Sequence, residues 1–297
     1  MLSSRFDRFA FTILSICLIL SGVAGSLEAQ VQSEPARAAM RDSLRSALHF
    51  HATFDGNADA KVSTGDGRVY TAESLARKEL KPGITREDVT IAKGEGKYGD
   101  CLRFAANGKQ VICYRGEAMH YQPQDWSGSV SMWMRLDPDK DLKPGYCDPI
   151  QITQAAWNDA AFFVDFDKDL PRDFRLGTFS DLKFWNPDNV TWEAWPVEKR
   201  PMVTVKKPPF ASDVWTHVLF TFSDINGSEG RPAKSALYLN GRLQGELEQP
   251  MRFTWDVKKA AIMLGIEYIG DIDDLMIFRR ALKTDEIQFL YMAKESL

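Results

Sequence analysis

Residues 214–241 read VWTHVLFTFSDINGSEGRPAKSALYLNG. Two runs rich in aromatic and β-branched residues are separated by a polar stretch holding glycine and proline. Runs of this kind, bounded by turn residues, are strands. Trp215, Val218 and Phe220 are expected to anchor a core between two sheets. Asn240-Gly241 supplies the positive φ of a tight hairpin between SALYL and RLQGEL. His217, inside a hydrophobic strand, is expected to be a hydrogen-bonded residue at the core edge rather than a base.

The pattern repeats outward in both directions. VTIA (89–92), CLRFA (101–105), VICYR (111–115), SVSMWMRL (129–136), PIQIT (149–153), AAFFVDF (160–166), FRLGTF (174–179), AAIMLG (260–265) and DIDDLMIF (271–278) are short apolar runs with turn residues between them. In LHFHATF (48–54), Phe50, Ala52 and Phe54 share one face, and His49 and His51 share the other, read as a surface face. Residues 57–88 are polar and irregular, and 137–213 are less regular than the rest. Helical periodicity is confined to the end, where Thr284 can cap a helix and Ile287, Leu290 and Tyr291 share a face. Many short strands with turn signals describe an all-β sandwich or barrel.

The 297 residues are 44% hydrophobic and 26% charged, the proportions of a folded globular chain. The net charge of −4 argues against nucleic acid as a partner, because phosphate binding needs a basic surface. Residues 1–26 combine Arg5 and Arg8, an uncharged apolar run and a small-residue exit, which is the pattern of a secretory signal peptide. The alternative is an uncleaved membrane anchor. Residues 27–47 read as a linker or short helix outside a main domain of residues 48–297. A secreted, extracellular or periplasmic protein is expected. Cys17 leaves with the signal, and Cys101, Cys113 and Cys147 remain. The runs carrying Cys101 and Cys113 are joined by Asn107-Gly108, a hairpin signal. Alternation puts those two thiols on opposite faces, against a disulfide.

The blocks WTHV (215–218), LYLNG (237–241) and GDIDDLMIFRRAL (270–282) followed by DEIQFLY (285–291) resemble the laminin-G-like, concanavalin-A-like jelly-roll family. GKYGDCLRF (96–104) and SGSVSMWMRL (127–136) are similar to earlier strands of the same family, although Ser129 and Val130 stand where an aromatic residue is usual. The resemblance spans about residues 48–297. It implies a two-sheet antiparallel jelly-roll sandwich with a short C-terminal helix. It implies function only weakly, because the fold carries lectins, hydrolases, lyases and adhesion modules.

Hydrolases of this fold carry Glu-x-Asp-x-x-Glu on one strand, which places a nucleophile and an acid about 5–5.5 Å apart. That motif is absent. Asp165, Asp167 and Asp169 share one strand face and read as an acidic strand end, with a cation site as the alternative. Gly94-x-Gly96-x-x-Gly99 is read as turn glycines, since a strand rather than a helix follows it. The resemblance also implies a structural Ca2+ held by Asp55, Asp271 and Asp273, with backbone-bonded aspartates as the alternative. Trp185, Trp192 and Trp195 fall in the irregular segment, as a sugar-stacking platform or a minor core. The expectation is a secreted, non-catalytic carbohydrate-binding module whose partner is a glycan or an extracellular protein, with membrane association only if the N-terminal segment stays uncleaved. The alternatives are a protein-binding adhesion module and a divergent carbohydrate-active hydrolase or lyase.

Overall fold

A computed structural model describes residues 33–297; residues 1–26, expected to be a signal peptide, lie outside the described residues. In chain order the first strands are β1 Leu48–Ala52, β2 Val62–Ser63, β3 Tyr70–Ala72, β4 Leu80–Pro82, β5 Val89–Ala92, β6 Cys101–Phe104, β7 Val111–Arg115 and β8 Trp126–Arg135. There follow β9 Cys147–Thr153, β10 Ala161–Phe166, β11 Phe174–Phe179, β12 Met202–Val205, β13 Thr216–Ile225, β14 Ala233–Leu239, β15 Arg242–Gln249, β16 Ala261–Ile266 and β17 Gly270–Phe278. They form two antiparallel sheets. The nine-stranded sheet runs β15-β14-β13-β8-β17-β1-β2, with β6 also on β17 and β5 on β6. The eight-stranded sheet runs β12-β11-β10-β9-β16-β7-β3-β4.

Strand alternation sends one side of each sheet into a shared core. From β10, Phe162, Val164 and Phe166 enter it, as do Val218 and Phe220 from β13. Trp126 lies at its centre, with Phe162, Phe222, Phe253 and Trp255 packed edge-on around it at 4.7 to 5.9 Å between ring centres. Trp215 departs from expectation. It is half-buried outside this core, under the Arg135 guanidinium at 4.8 Å. The Asn240-Gly241 turn is as expected: both residues have positive φ, +50° and +73°, and Leu239 pairs with Arg242 across it.

Asn107-Gly108 does not close a hairpin. β6 lies in the nine-stranded sheet and β7 in the eight-stranded one, so this segment crosses between layers. Buried Arg86 determines that path. Its guanidinium donates to the carbonyls of Ala106, Gln110 and Gly265 while paired with Asp88, which itself accepts the Gly108 N–H. All three cysteines are free and buried, Cys101 and Cys113 in different sheets. Residues 57–88, read as irregular, contain the short strands β2, β3 and β4.

Two terminal helices cover the outer side of the nine-stranded sheet. The C-terminal helix, Thr284–Met292, starts one residue after its cap Lys283, whose backbone N–H is bonded to Glu286. The N-terminal helix, Glu34–Ala47, begins with Pro35 in its first turn. It does not stand outside the domain. Leu44 and Ala47 are buried with Leu219, Met276, Phe278, Ile287 and Leu290 in a second core. No helix of the described residues is long and apolar enough to cross a membrane.

Candidate functional site

The helices leave the outer side of the eight-stranded sheet open. A cavity of about 360 Å³ lies there. The strand period builds its floor: while Phe162 and Val164 point inward, Phe163 and Asp165 point outward. Phe163 stacks on Phe179 at 5.6 Å and 18°. It can lie there because residue 177 is glycine. A Cβ at that position would stand 2.2 Å from the Phe163 ring.

Loops supply the walls. Trp157 meets Phe179 edge-on at 5.4 Å and Trp192 at 5.3 Å. The Arg200 guanidinium lies 4.1 Å over the Trp192 ring and holds it from behind. Tyr146 stands on the opposite side, with Arg175 5.0 Å from its ring centre. Trp157 and Tyr146 remain 37% and 42% exposed, so their rings are open to solvent at the cavity.

Of the three expected tryptophans, only Trp192 lines this cavity. Trp185 packs behind it on Phe179 at 5.1 Å and donates its indole N–H to the Asn158 carbonyl. Trp195 rests on Trp185 at 5.4 Å. The three form one aromatic cluster, with one ring at the cavity and two supporting it. Trp157, Phe163 and Tyr146 were not singled out from the sequence. The alternation in AAFFVDF was the available signal for Phe163.

The polar groups are few, with Gln151, Asp165 and Arg175 buried, Asp148 half-buried and Glu193 exposed. Asp165 faces Arg175 directly across the β10–β11 pairing and forms a two-point ion pair with it. Asp167 adds a contact to the same guanidinium at 3.3 Å. The acidic run is thus neutralised by an arginine on the next strand, while Asp169 is exposed. Asp148, Gln151 and Glu193 complete the polar lining. Burial pushes the Asp148 carboxyl well above the usual carboxylate range, and the nearby Asp165 charge pushes it further. Burial also raises Asp165, but the Arg175 ion pair opposes that rise. Burial thus opposes ionisation at both carboxyls, and only Asp165 has an arginine to offset it.

Asp55, Asp271 and Asp273 do not form a calcium cage. Both oxygens of Asp271 are occupied by Arg103 and Arg135. Asp55 binds the Asp100 N–H and the Lys61 ammonium. Asp273 accepts the Tyr98 N–H through one oxygen, and the other is buried without a partner. Its pKa is pushed up to about 8 by burial and by neighbouring Asp274. Calcium needs six to eight oxygens and ionised carboxylates. Among the described residues no group of three acidic, His or Cys side chains could hold a metal.

The two strand histidines are buried, contrary to expectation. His51 bonds Asp274 at 2.6 Å, and Ser296 of the C-terminal tail bonds the same carboxylate. His49 packs against His120 at 4.6 Å. His217 bonds Ser131 at 2.8 Å, as a hydrogen-bonded residue should, and full burial lowers its pKa to about 3.

Several solved structures share this architecture. The binding domain of botulinum neurotoxin serotype D is 14% identical with a TM-score of 0.53; the match covers 85% of this chain and 52% of that one. A botulinum neurotoxin type C structure is 13% identical with a TM-score of 0.51, covering 86% of this chain and 53% of that one. Domain 4 of AbnA, a GH43 extracellular arabinanase from Geobacillus stearothermophilus solved with arabinotriose, is 19% identical with a TM-score of 0.48, covering 82% and 98%. The chain thus spans about half the length of the toxin structures. No curated protein matches it in sequence. The family model described as the concanavalin A-like lectin/glucanases superfamily matches residues 117–288, from just after β7 into the C-terminal helix, and this chain belongs to that family.

Proposed function

We propose that this chain is a secreted carbohydrate-binding module holding a sugar in the cavity on the outer side of the eight-stranded sheet. The carrying observation is the composition of that cavity. The exposed rings of Trp157 and Tyr146 and the half-buried ring of Trp192 surround an aromatic floor, and a small set of polar groups lines the space between them. Rings offer flat apolar faces to sugar C–H groups, while fixed polar side chains orient hydroxyls. Arg200 and Arg175 hold the rings in place, which lowers the ordering cost of binding. The type C neurotoxin is described as depending on two ganglioside molecules for cell entry, a glycan-binding use of the same fold.

The test is a glycan-array screen of the purified protein, followed by Trp157→Ala/Trp192→Ala. A sugar class should bind, and the double variant should lose at least about tenfold in affinity, roughly 1.4 kcal/mol. A folded protein that binds no glycan would refute the reading and favour a protein partner. A hydrolytic reading has one feature in its favour, two neighbouring carboxyls of which Asp148 is pushed well above the usual range by burial. Against it, Asp165 is committed to Arg175.

A further inference from the structure

A second cavity, of about 240 Å³, adjoins the first on the same sheet face. Loop residue Leu75 walls the first cavity, and the next two residues, Ala76 and Arg77, wall the second. The strands also connect them. Gln151 of the first cavity pairs with Met263, and the Met263 sulfur accepts from Arg77 of the second at 3.0 Å. From Ala261 at one end to Ile266 at the other, β16 extends roughly 16 Å.

The second cavity is strongly basic. Arg77, Arg115, Lys258 and Lys259 line it, and no acidic residue does. Lys259 pairs with Asp256 at 3.1 Å. Arg77 is half-buried, and its partners are the carbonyls of Leu75, Gln154 and Lys259 together with the Met263 sulfur. Those partners hold the guanidinium without neutralising it. Arg77 takes this position with a φ of +49°, a backbone conformation that costs a non-glycine residue energy. Arg115 lies against the Tyr70 ring at 4.9 Å. Among the described residues, no carboxylate comes within 4.0 Å of a side-chain nitrogen of Arg77, Arg115 or Lys258, while the Lys258 backbone N–H donates to Asp256 at 3.2 Å. Elsewhere Arg86, Arg103, Arg135 and Arg175 all meet carboxylates. A protein with a net charge of −4 has collected unpaired cations around one hollow beside its aromatic cleft.

We propose that this second cavity is an anion subsite, and that the ligand of the outer face is an acidic glycan whose sulfate or carboxylate group sits among Arg77, Arg115 and Lys258. The inference rests on the sugar-binding reading and names its substrate class. A planar guanidinium matches either anionic group by paired N–H donation.

Binding is measured by biolayer interferometry against dextran sulfate, polygalacturonate, and their neutral counterparts dextran and methyl-esterified polygalacturonate. Wild-type protein is compared with Arg115→Gln/Lys258→Gln and with Trp157→Ala/Trp192→Ala, each checked for folding by circular dichroism. One acidic polymer should bind at least tenfold more tightly than its neutral counterpart, and the glutamine pair should lose that tenfold. Which polymer binds separates sulfate from carboxylate as the source. Raising the salt should weaken wild-type binding more than that of the glutamine pair. If the double variant fails to fold, exposed Lys258→Gln alone should show a loss of about threefold. Equal binding of acidic and neutral polymers, acidic binding unchanged by the glutamines, or no binding to any polymer would overturn the proposal. If a neutral sugar then binds on the array and the tryptophan variant loses it, the sugar-binding reading survives alone. If the tryptophan variant keeps acidic binding that the glutamine pair loses, the anion subsite stands and the aromatic cleft is not the sugar site.

Discussion

At Asp273 one oxygen receives the Tyr98 N–H and the other is buried without a partner, so the carboxyl keeps its proton up to about pH 8. In the unfolded chain it ionises near its ordinary value of 3.8. The folded state therefore binds more protons between those limits. The contribution of Asp273 to stability is full below about pH 4, falls as pH rises towards 8, and is gone above. Asp273→Asn keeps the shape and cannot ionise. Its melting temperature should exceed that of wild type at pH 9, with the gap closing towards pH 4; a gap independent of pH would contradict this. Asp165 presents the opposite case, a buried carboxylate satisfied by Arg175. Arg175→Met leaves it without that partner and should cost about 3–5 kcal/mol in urea denaturation at neutral pH. Asp165 itself was legible as an acidic strand residue. Arg175, ten positions away in sequence, becomes its partner only through the β10–β11 register.

Among the elements, the N-terminal helix shows the limit of local reading. Its sequence, EPARAAMRDSLRSA, is helix-prone and mostly polar, and nothing local says what its few apolar residues meet. In the fold, Leu44 is fully buried against the C-terminal helix and the outer side of the nine-stranded sheet. Leu44→Ala should therefore cost roughly 3 kcal/mol, read as a shift in the urea midpoint with an unchanged slope. A change within about 0.5 kcal/mol, the usual range for a surface substitution, would show that the helix does not pack. Covering segments also explain the buried histidines: the C-terminal tail bonds His51 through Ser296, and Glu117 and His120 lie against His49. Alternation correctly placed His49 and His51 opposite Phe50 and Ala52, but solvent was the wrong occupant of that side. The turns divide similarly. Asn240-Gly241 takes positive φ and closes a hairpin, whereas Asn107-Gly108 is drawn across the sandwich by Arg86.

For the whole molecule, stability rests on the core between the sheets, without a staple. The three cysteines of the described residues are free, and burial raises Cys101 to about 12 and Cys113 to about 11. The carboxylates expected to hold calcium are engaged by arginines, a lysine and backbone N–H groups. Calcium or a chelator should therefore leave the melting temperature unchanged, and a calcium-dependent rise in differential scanning calorimetry would restore the metal reading. Local sequence specifies the fold class, because strand period, turn chemistry and the LYLNG and GDIDD blocks are short-range and mutually consistent. It also marked the irregular segment 137–213 that supplies Trp157 and Trp192 to the cleft. Which ring faces the cavity, which arginine pairs with Asp165, and the gathering of unpaired cations beside the cleft emerge in the folded chain alone. Those outcomes depend on strand register, on which loops meet across a sheet, and on what covers each side, all of which are set by contacts between residues distant in the chain.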